Sequence, residues 1–258
     1  MLEAAQYTDN AFVTLTYDDA QLPDDMSVSP RVIQLFMKRL RKKWPTKVRY
    51  FACGEYGDQT MRPHYHLAMF NLPTCQRGIT RFSRTGQSCC EMCELIKQTW
   101  GFGNVMLGSL EPKSIAYIAG YITKKMTKKD DPRLEGRLPE FARMSLRPGI
   151  GLGMMDELAS TLLEHRLDEK MIDVPTSLQH GKNKWPLGRY LRRKLRARIG
   201  REENAPPETI QARKAEMQPL RQIAWDTNKS LSSVFLETTE GKRIQIEARE
   251  KRRKKEIL

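Results

Sequence analysis

The sequence predicts an α+β fold: a central antiparallel β-sheet with helices packed on it, followed by a basic, largely helical C-terminal extension. Three observations predict it. Short runs rich in β-branched and aromatic residues recur between turn-forming clusters, as in Phe12 to Tyr17, Val48 to Cys53 and His64 to Phe70. Apolar stripes at helical spacing alternate with these runs. The last stretch, residues 189–258, is rich in Arg, Lys, Glu and Gln but poor in core residues.

Taken in order, Phe12-Val13-Thr14-Leu15-Thr16-Tyr17 alternates apolar and hydroxyl residues, a strand with one buried face. Asp18-Asp19 and Leu22-Pro23-Asp24-Asp25 break it. Ser29-Pro30 supplies an N-cap with proline at the first helical position. Ile33, Phe36, Met37, Leu40 and Trp44 then form a stripe for packing on a sheet, and Pro45 stops the helix. Lys38, Arg39, Arg41, Lys42 and Lys43 fill its other face, either towards DNA or simply solvated. Val48 to Cys53 is the second strand, ending at Glu55. The His64 strand follows, so the two pair as a hairpin through a Tyr56-to-Arg62 loop. Pro73 to Ser88 is a polar surface excursion. Cys90 to Trp100 reads as a helix closed by Gly101, and Gly103 to Leu110 as a further strand. A helix then runs from Ser114, its expected N-cap, to Met126. Ile115, Ile118, Ala119, Ile122 and Met126 form its apolar face, with Tyr117, Tyr121, Lys124, Lys125 and Lys128 opposite. Past Pro132 the pattern loosens until Met154 to Leu167, an amphipathic helix. Gly149-x-Gly151-x-Gly153 lacks the spacing and preceding strand of a dinucleotide fingerprint, and no P-loop motif occurs.

A formal charge of +14 and a pI near 9.7 point to a polyanionic partner, nucleic acid first. The charge is uneven: residues 189–258 hold 19 Lys and Arg against 10 Asp and Glu, leaving 26 against 21 for residues 1–188. No apolar run reaches the roughly 18 residues of a membrane span, and no signal pattern opens the chain, so the expectation is a soluble intracellular protein. Five cysteines argue against a disulfide framework. Cys75, Cys89, Cys90 and Cys93 cluster, and Cys90-x2-Cys93 has metal-ligand spacing. Cys75 has no second Cys-x2-Cys around it, so free reduced thiols are favoured over a small zinc site.

Two of the four histidines sit in Pro63-His64-Tyr65-His66. Side chains alternate along a strand, so both imidazoles face one way, close enough to share a cation. Glu55, at the end of the preceding strand, can close a three-ligand site. The ordinary alternative is a pair of strand histidines tied into hydrogen bonds. The donor set leaves the metal open, since imidazole also suits zinc and two His with a carboxylate also describe non-haem iron sites. Tyr117 and Tyr121, one turn apart with lysines following, form an unusual polar stripe, although tyrosine ordinarily packs and lysine ordinarily solvates.

His64-Tyr65-His66 with Tyr117-x3-Tyr121 resembles the His-hydrophobe-His motif and two-tyrosine helix of HUH endonucleases, the rolling-circle replication initiators. Phe12 to Asp19, Gln34 to Arg41, Cys53-Gly54-Glu55-Tyr56-Gly57 and Met144 to Gly151 look like the initiators of small single-stranded DNA phages, the gokushovirus-type microviruses. The resemblance spans roughly residues 11–155. It implies an HUH (RRM-like) nicking domain over 1–130, an accessory segment of it over 131–188, and a basic helical or partly disordered tail over 189–258. It implies a divalent metal, Mg²⁺ or Mn²⁺, on His64, His66 and Glu55, with Tyr117 and Tyr121 as nucleophiles and Lys124 and Lys125 countering phosphate charge. The activity it implies is nicking and religation of single-stranded or supercoiled origin DNA through a 5′-phosphotyrosine, in the cytoplasm of an infected bacterium. Host helicase and replication proteins are candidate partners. The competing reading is a non-catalytic basic nucleic-acid-binding protein whose tyrosines stack on bases.

Overall fold

The computed structural model describes residues 1–80, 89–124, 130–181 and 183–255. The chain divides into two compact units, Met1–Glu157 and Leu158–Leu258. The first contains a five-stranded sheet built from β1 (Asn10–Thr16), β2 (Arg49–Tyr56), β3 (Pro63–Phe70), β4 (Val105–Ser109) and β5 (Phe141–Met144). Their order is β4-β1-β3-β2-β5, and every neighbouring pair is antiparallel. Three helices belong with it: α1 (Pro30–Lys43), α2 (Glu91–Trp100) and α3 (Pro112–Lys124).

The two faces of the sheet do different things, and strand alternation is the reason. Ala11, Val13 and Leu15 of β1 and Tyr65, Leu67 and Met69 of β3 point into the main core. There they meet Ile33, Phe36, Met37 and Leu40 of α1 and Cys93, Ile96 and Trp100 of α2. Each fully buried side chain of the α1 stripe contributes about 1.5–3 kcal/mol. The intervening strand residues face the other way. Cys53, Ala68 and Phe70 form a smaller apolar cluster with Ile118 of α3, flanked by Phe12 and Phe51. α3 therefore covers the face that also carries Thr14, Glu55, His64 and His66.

The local signals act as expected in α1, where the Ser29 side chain accepts from the Arg31 N–H and Pro30 opens the helix. Gly101 (φ 73°) ends α2 in the left-handed conformation a C-terminal glycine supplies. Gly103, at φ 146°, lets the chain pass under β1, where a Cβ would stand 2.4 Å from the Asp18 nitrogen. The expected N-cap of α3 is displaced. The helix begins at Pro112, and the Ser114 hydroxyl reaches back to accept from the Glu111 N–H at 2.7 Å. Proline at the first helical position is pre-set for the turn, so the helix starts two residues before Ser114.

β5 has no counterpart in the sequence reading. It is four residues long and half-exposed, with Phe141 lying over Gly54, where a Cβ would come 2.5 Å from its ring. The Ser145 and Arg147 region is tied back by Arg49, which pairs with the buried Glu3 and donates to the Pro148 carbonyl at 2.8 Å. Glu3 also accepts from the Gly151 N–H at 2.6 Å. The Met144-to-Gly151 motif is thus bound to β2 by a buried ion pair.

The chain leaves this unit along α4 (Gly153–Glu164). The second unit holds a hairpin of β6 (Ser177–His180) and β7 (Asn183–Pro186), then α5 (Arg189–Arg198), α6 (Pro207–Asp226) and α7 (Leu231–Lys255). Asp173 organises its start. Arg196 donates to both carboxylate oxygens at 2.6 and 2.7 Å, and Arg192 to one at 2.7 Å. Burial alone would raise the Asp173 pKa, yet Arg196, the Val174 N–H and Arg192 hold it below its ordinary value of 3.8. Among the described residues, no helix is long and apolar enough to cross a membrane.

Candidate metal centre and active site

Backbone pairing, rather than loop conformation, assembles the site. In the β2–β3 ladder Glu55 lies directly opposite His64, and Cys53 opposite His66. In the β1–β3 ladder Thr14 lies opposite His66. Directly paired and diagonal neighbours on one face are within side-chain reach, so this register brings one carboxylate to two imidazoles. Glu55 Oε1 is 2.6 Å from His64 Nε2 and 2.8 Å from His66 Nε2.

The outer nitrogens are also held. His64 Nδ1 is 3.1 Å from the Arg62 carbonyl, to which only a protonated Nδ1 can donate. That fixes the tautomer and leaves Nε2 as the nitrogen facing Glu55. His66 Nδ1 meets the Thr14 hydroxyl at 2.9 Å. The approach of His66 Nε2 to Glu55 has the distance but not the direction of a hydrogen bond. Two imidazole nitrogens and one carboxylate oxygen, on side chains 20%, 8% and 2% exposed, thus converge on one point. This is the donor set a divalent cation requires, with three protein ligands and coordination positions left over. Burial would push the Glu55 carboxyl up, but the hydrogen bonds and charge of His64 and His66 pull it down to about 2. It is therefore anionic at any working pH.

Tyr117 of α3 stands over this cluster. Its ring centroid is 5.4 Å from that of His66, edge to face, and 6.4 Å from Phe12, which itself stacks on His66 at 5.7 Å. The sequence placed Tyr117 on the helix face away from the apolar stripe. In the structure Tyr117 and the buried Ile118 both turn towards the sheet, while Ala119, assigned to the stripe, is exposed. The tyrosine is partly buried against the imidazole. Tyr121 and Lys124 lie on α3, one and two turns further along, with side chains outside those described; Lys125 lies outside the described residues.

Two residues of the site carry no signal in the sequence. Thr14 is one hydroxyl in an alternating strand, and only the register makes it the partner of His66. Glu140 accepts from the Tyr56 N–H at 2.9 Å, holding the end of β2 beside Glu55. The basic residues of α1 do not reach the site, because α1 covers the opposite face. Arg39 instead donates to the carbonyls of Thr99 and Trp100, and Arg41 to that of Val48.

Residues 10–126, which carry the whole cluster and Tyr117, match the family of replication-associated proteins of the ORF2 type. The chain is 38% identical over 151 residues to Replication-associated protein ORF2 of Spiroplasma virus 4, covering 55% of this chain and 46% of that one. It is 34% identical over 137 residues to Replication-associated protein VP4 of Bdellovibrio phage phiMH2K, covering 50% and 43%. It is 28% identical over 131 residues to Replication-associated protein ORF4 of Chlamydia phage 1, covering 48% and 33%. All three viruses are microviruses. The aligned part spans less than half the length of each relative. No solved structure matches the chain.

Proposed function

With residues 10–126 as a replication-associated domain of the ORF2 type for premise, we propose that this protein initiates rolling-circle replication of a small phage genome. It does so by nicking and rejoining single-stranded origin DNA, as an HUH-type endonuclease. The observation that carries the reading is the edge-on stacking of Tyr117 on His66, beside the point where His64, His66 and Glu55 converge.

A phosphodiester is a poor electrophile shielded by its own charge. A divalent cation, Mg²⁺ or Mn²⁺, held by His64, His66 and Glu55 would supply Lewis acidity at a non-bridging phosphate oxygen. The chain's own residues do the rest. Glu55, ionised at working pH, balances the cation and keeps both imidazoles turned inward. The Tyr117 oxygen attacks phosphorus, the bond from phosphorus to the 3′ oxygen breaks, and the leaving oxygen takes up a proton as the tyrosine gives one up. The product is a 5′-phosphotyrosine and a free 3′-OH. A second 3′-OH reverses the transfer without ATP, because the ester preserves the phosphodiester's energy. Tyr121, about 6 Å further along α3 at 1.5 Å per residue, gives a second nucleophile for the successive transfers that close a circle. Lys124 and Lys125 counter phosphate charge.

The test is incubation of the chain and Mn²⁺ with a pool of labelled single-stranded DNAs, read by denaturing gel and by mass spectrometry for a DNA-tyrosine adduct. Tyr117→Phe and Tyr121→Phe should each still nick at reduced yield, and the double variant should be inactive. DNA that is shifted but never cut, with no adduct, would instead establish the non-catalytic binder.

A further inference from the structure

The chain holds a second constellation that the nicking chemistry does not use. Cys75 follows the exit of β3, Cys89 and Cys90 lead into α2, and Cys93 stands in its first turn. Cys75 has no sequence neighbour of its own kind, yet the fold brings it to the other three. Its sulfur is 3.4 Å from that of Cys89 and 3.9 Å from that of Cys90, and Cys89 is 3.5 Å from Cys93. All four sulfurs lie within 4.8 Å of one another.

We propose that Cys75, Cys89, Cys90 and Cys93 bind one tetrahedral zinc ion as a structural site. Four sulfurs about 2.3 Å from a common ion stand about 3.8 Å apart along the edges of a tetrahedron. The observed separations bracket that figure. An iron–sulfur cluster spreads its cysteines over several irons, whereas this crowding fits a single centre. Disulfides need sulfurs at about 2.05 Å, and no two of the five cysteines are bonded to each other.

The surroundings suit thiolates. Cys90 is the N-cap of α2 and Cys93 its third residue, so the positive end of the helix dipole lies against the sulfurs. Thr80 Oγ1 accepts the Leu107 N–H at 2.7 Å, which leaves its proton for the Cys93 sulfur 3.1 Å away. That is the hydrogen bond from an outer residue that orients a ligating group. Four protein ligands leave no position for substrate, so the ion fastens the fold. It joins the segment leaving β3 to the start of α2, closing a connection 14 residues long, while Thr80 links the same segment to β4.

The test is metal analysis of the full chain purified without chelator, with cobalt substitution of the stripped protein. One zinc per chain is expected, together with the sulfur-to-cobalt charge-transfer and visible bands of a four-thiolate tetrahedral site. Cys75→Ser and Cys90→Ser should lose the zinc, while Cys53→Ser and His66→Ala should keep it; the last separates this ion from any at the histidines. Because a cysteine variant can fail to fold, the cobalt titration of the wild-type chain decides independently. A stripped wild-type chain without thiolate-to-cobalt bands, stoichiometric iron in place of zinc, or zinc lost with His66 rather than Cys75 would each overturn the assignment.

Discussion

Thr14 is the smallest residue in the site and the most informative to change. Its hydroxyl is the partner of His66 Nδ1, and loss of such a partner typically costs about 10–100-fold in metal affinity. Thr14→Val should weaken Mn²⁺ binding by that factor while Thr14→Ser retains it, measured by calorimetric titration and by the Mn²⁺ dependence of nicking. Equal affinities in the two variants would remove Thr14 from the site. His64→Ala and His66→Ala should abolish cleavage and leave DNA binding largely intact, because affinity comes mainly from phosphate contacts by basic residues. Glu55→Ala should be partly rescued by high metal, since two imidazoles remain; normal cutting at low metal would show that Glu55 is no ligand. The two histidines and Glu55 are legible in the sequence because a strand has a fixed period of two. Thr14 and Cys75 are not, since each acquires its partner only through pairing with distant chain.

At the scale of elements, the strong local signals produce the elements they predict. The Ser29-Pro30 start and the apolar stripe of α1 hold, as do the β2–β3 hairpin and the glycine end of α2. β5 escapes because its four residues have no pattern of their own and owe their conformation to the exposed edge of β2. The tyrosine helix is legible in existence but not in orientation: periodicity separates Tyr117 from the apolar stripe by hydropathy, whereas the sheet below accepts an aromatic ring beside Ile118. The crossing at Gly103 gives a sharp check. Gly103→Ala puts a Cβ against the Asp18 nitrogen and the Thr16 carbonyl, in a backbone region that favours glycine. It should cost about 2–3 kcal/mol, read from the urea midpoint, and a cost below ~0.5 kcal/mol would show that the crossing relaxes easily.

For the whole molecule, the basic tail is less available than its composition suggests. Arg192 and Arg196 are engaged by Asp173, Arg193 and Lys194 by Glu203, and Arg201 by the carbonyls of Ile172 and Met171. Deleting residues 189–258 should flatten the salt dependence of DNA binding, as fewer counterions are released. Arg196→Gln alone should leave that slope unchanged and lower stability instead. Asp173→Asn should cost about 3 kcal/mol at pH 7, because it leaves two nearly buried guanidiniums without their anion. The folded-state pKa of Asp173 is depressed, so its contribution is complete above pH 3.8 and disappears as pH falls through the lower folded value. Wild type and variant should therefore converge in urea midpoint as the pH drops below about 3.8; a constant gap would mean the ion pair is not its source. The division of the sheet into a packed face and a face bearing the site has an evolutionary corollary. Substitutions under α1 and α2 act on how firmly the domain holds together, while those under α3 act on what it does to DNA. A phage lineage can thus adapt its initiator to a warmer or colder host by drifting on one side, with the cutting chemistry on the other shielded from the change by a single layer of strands.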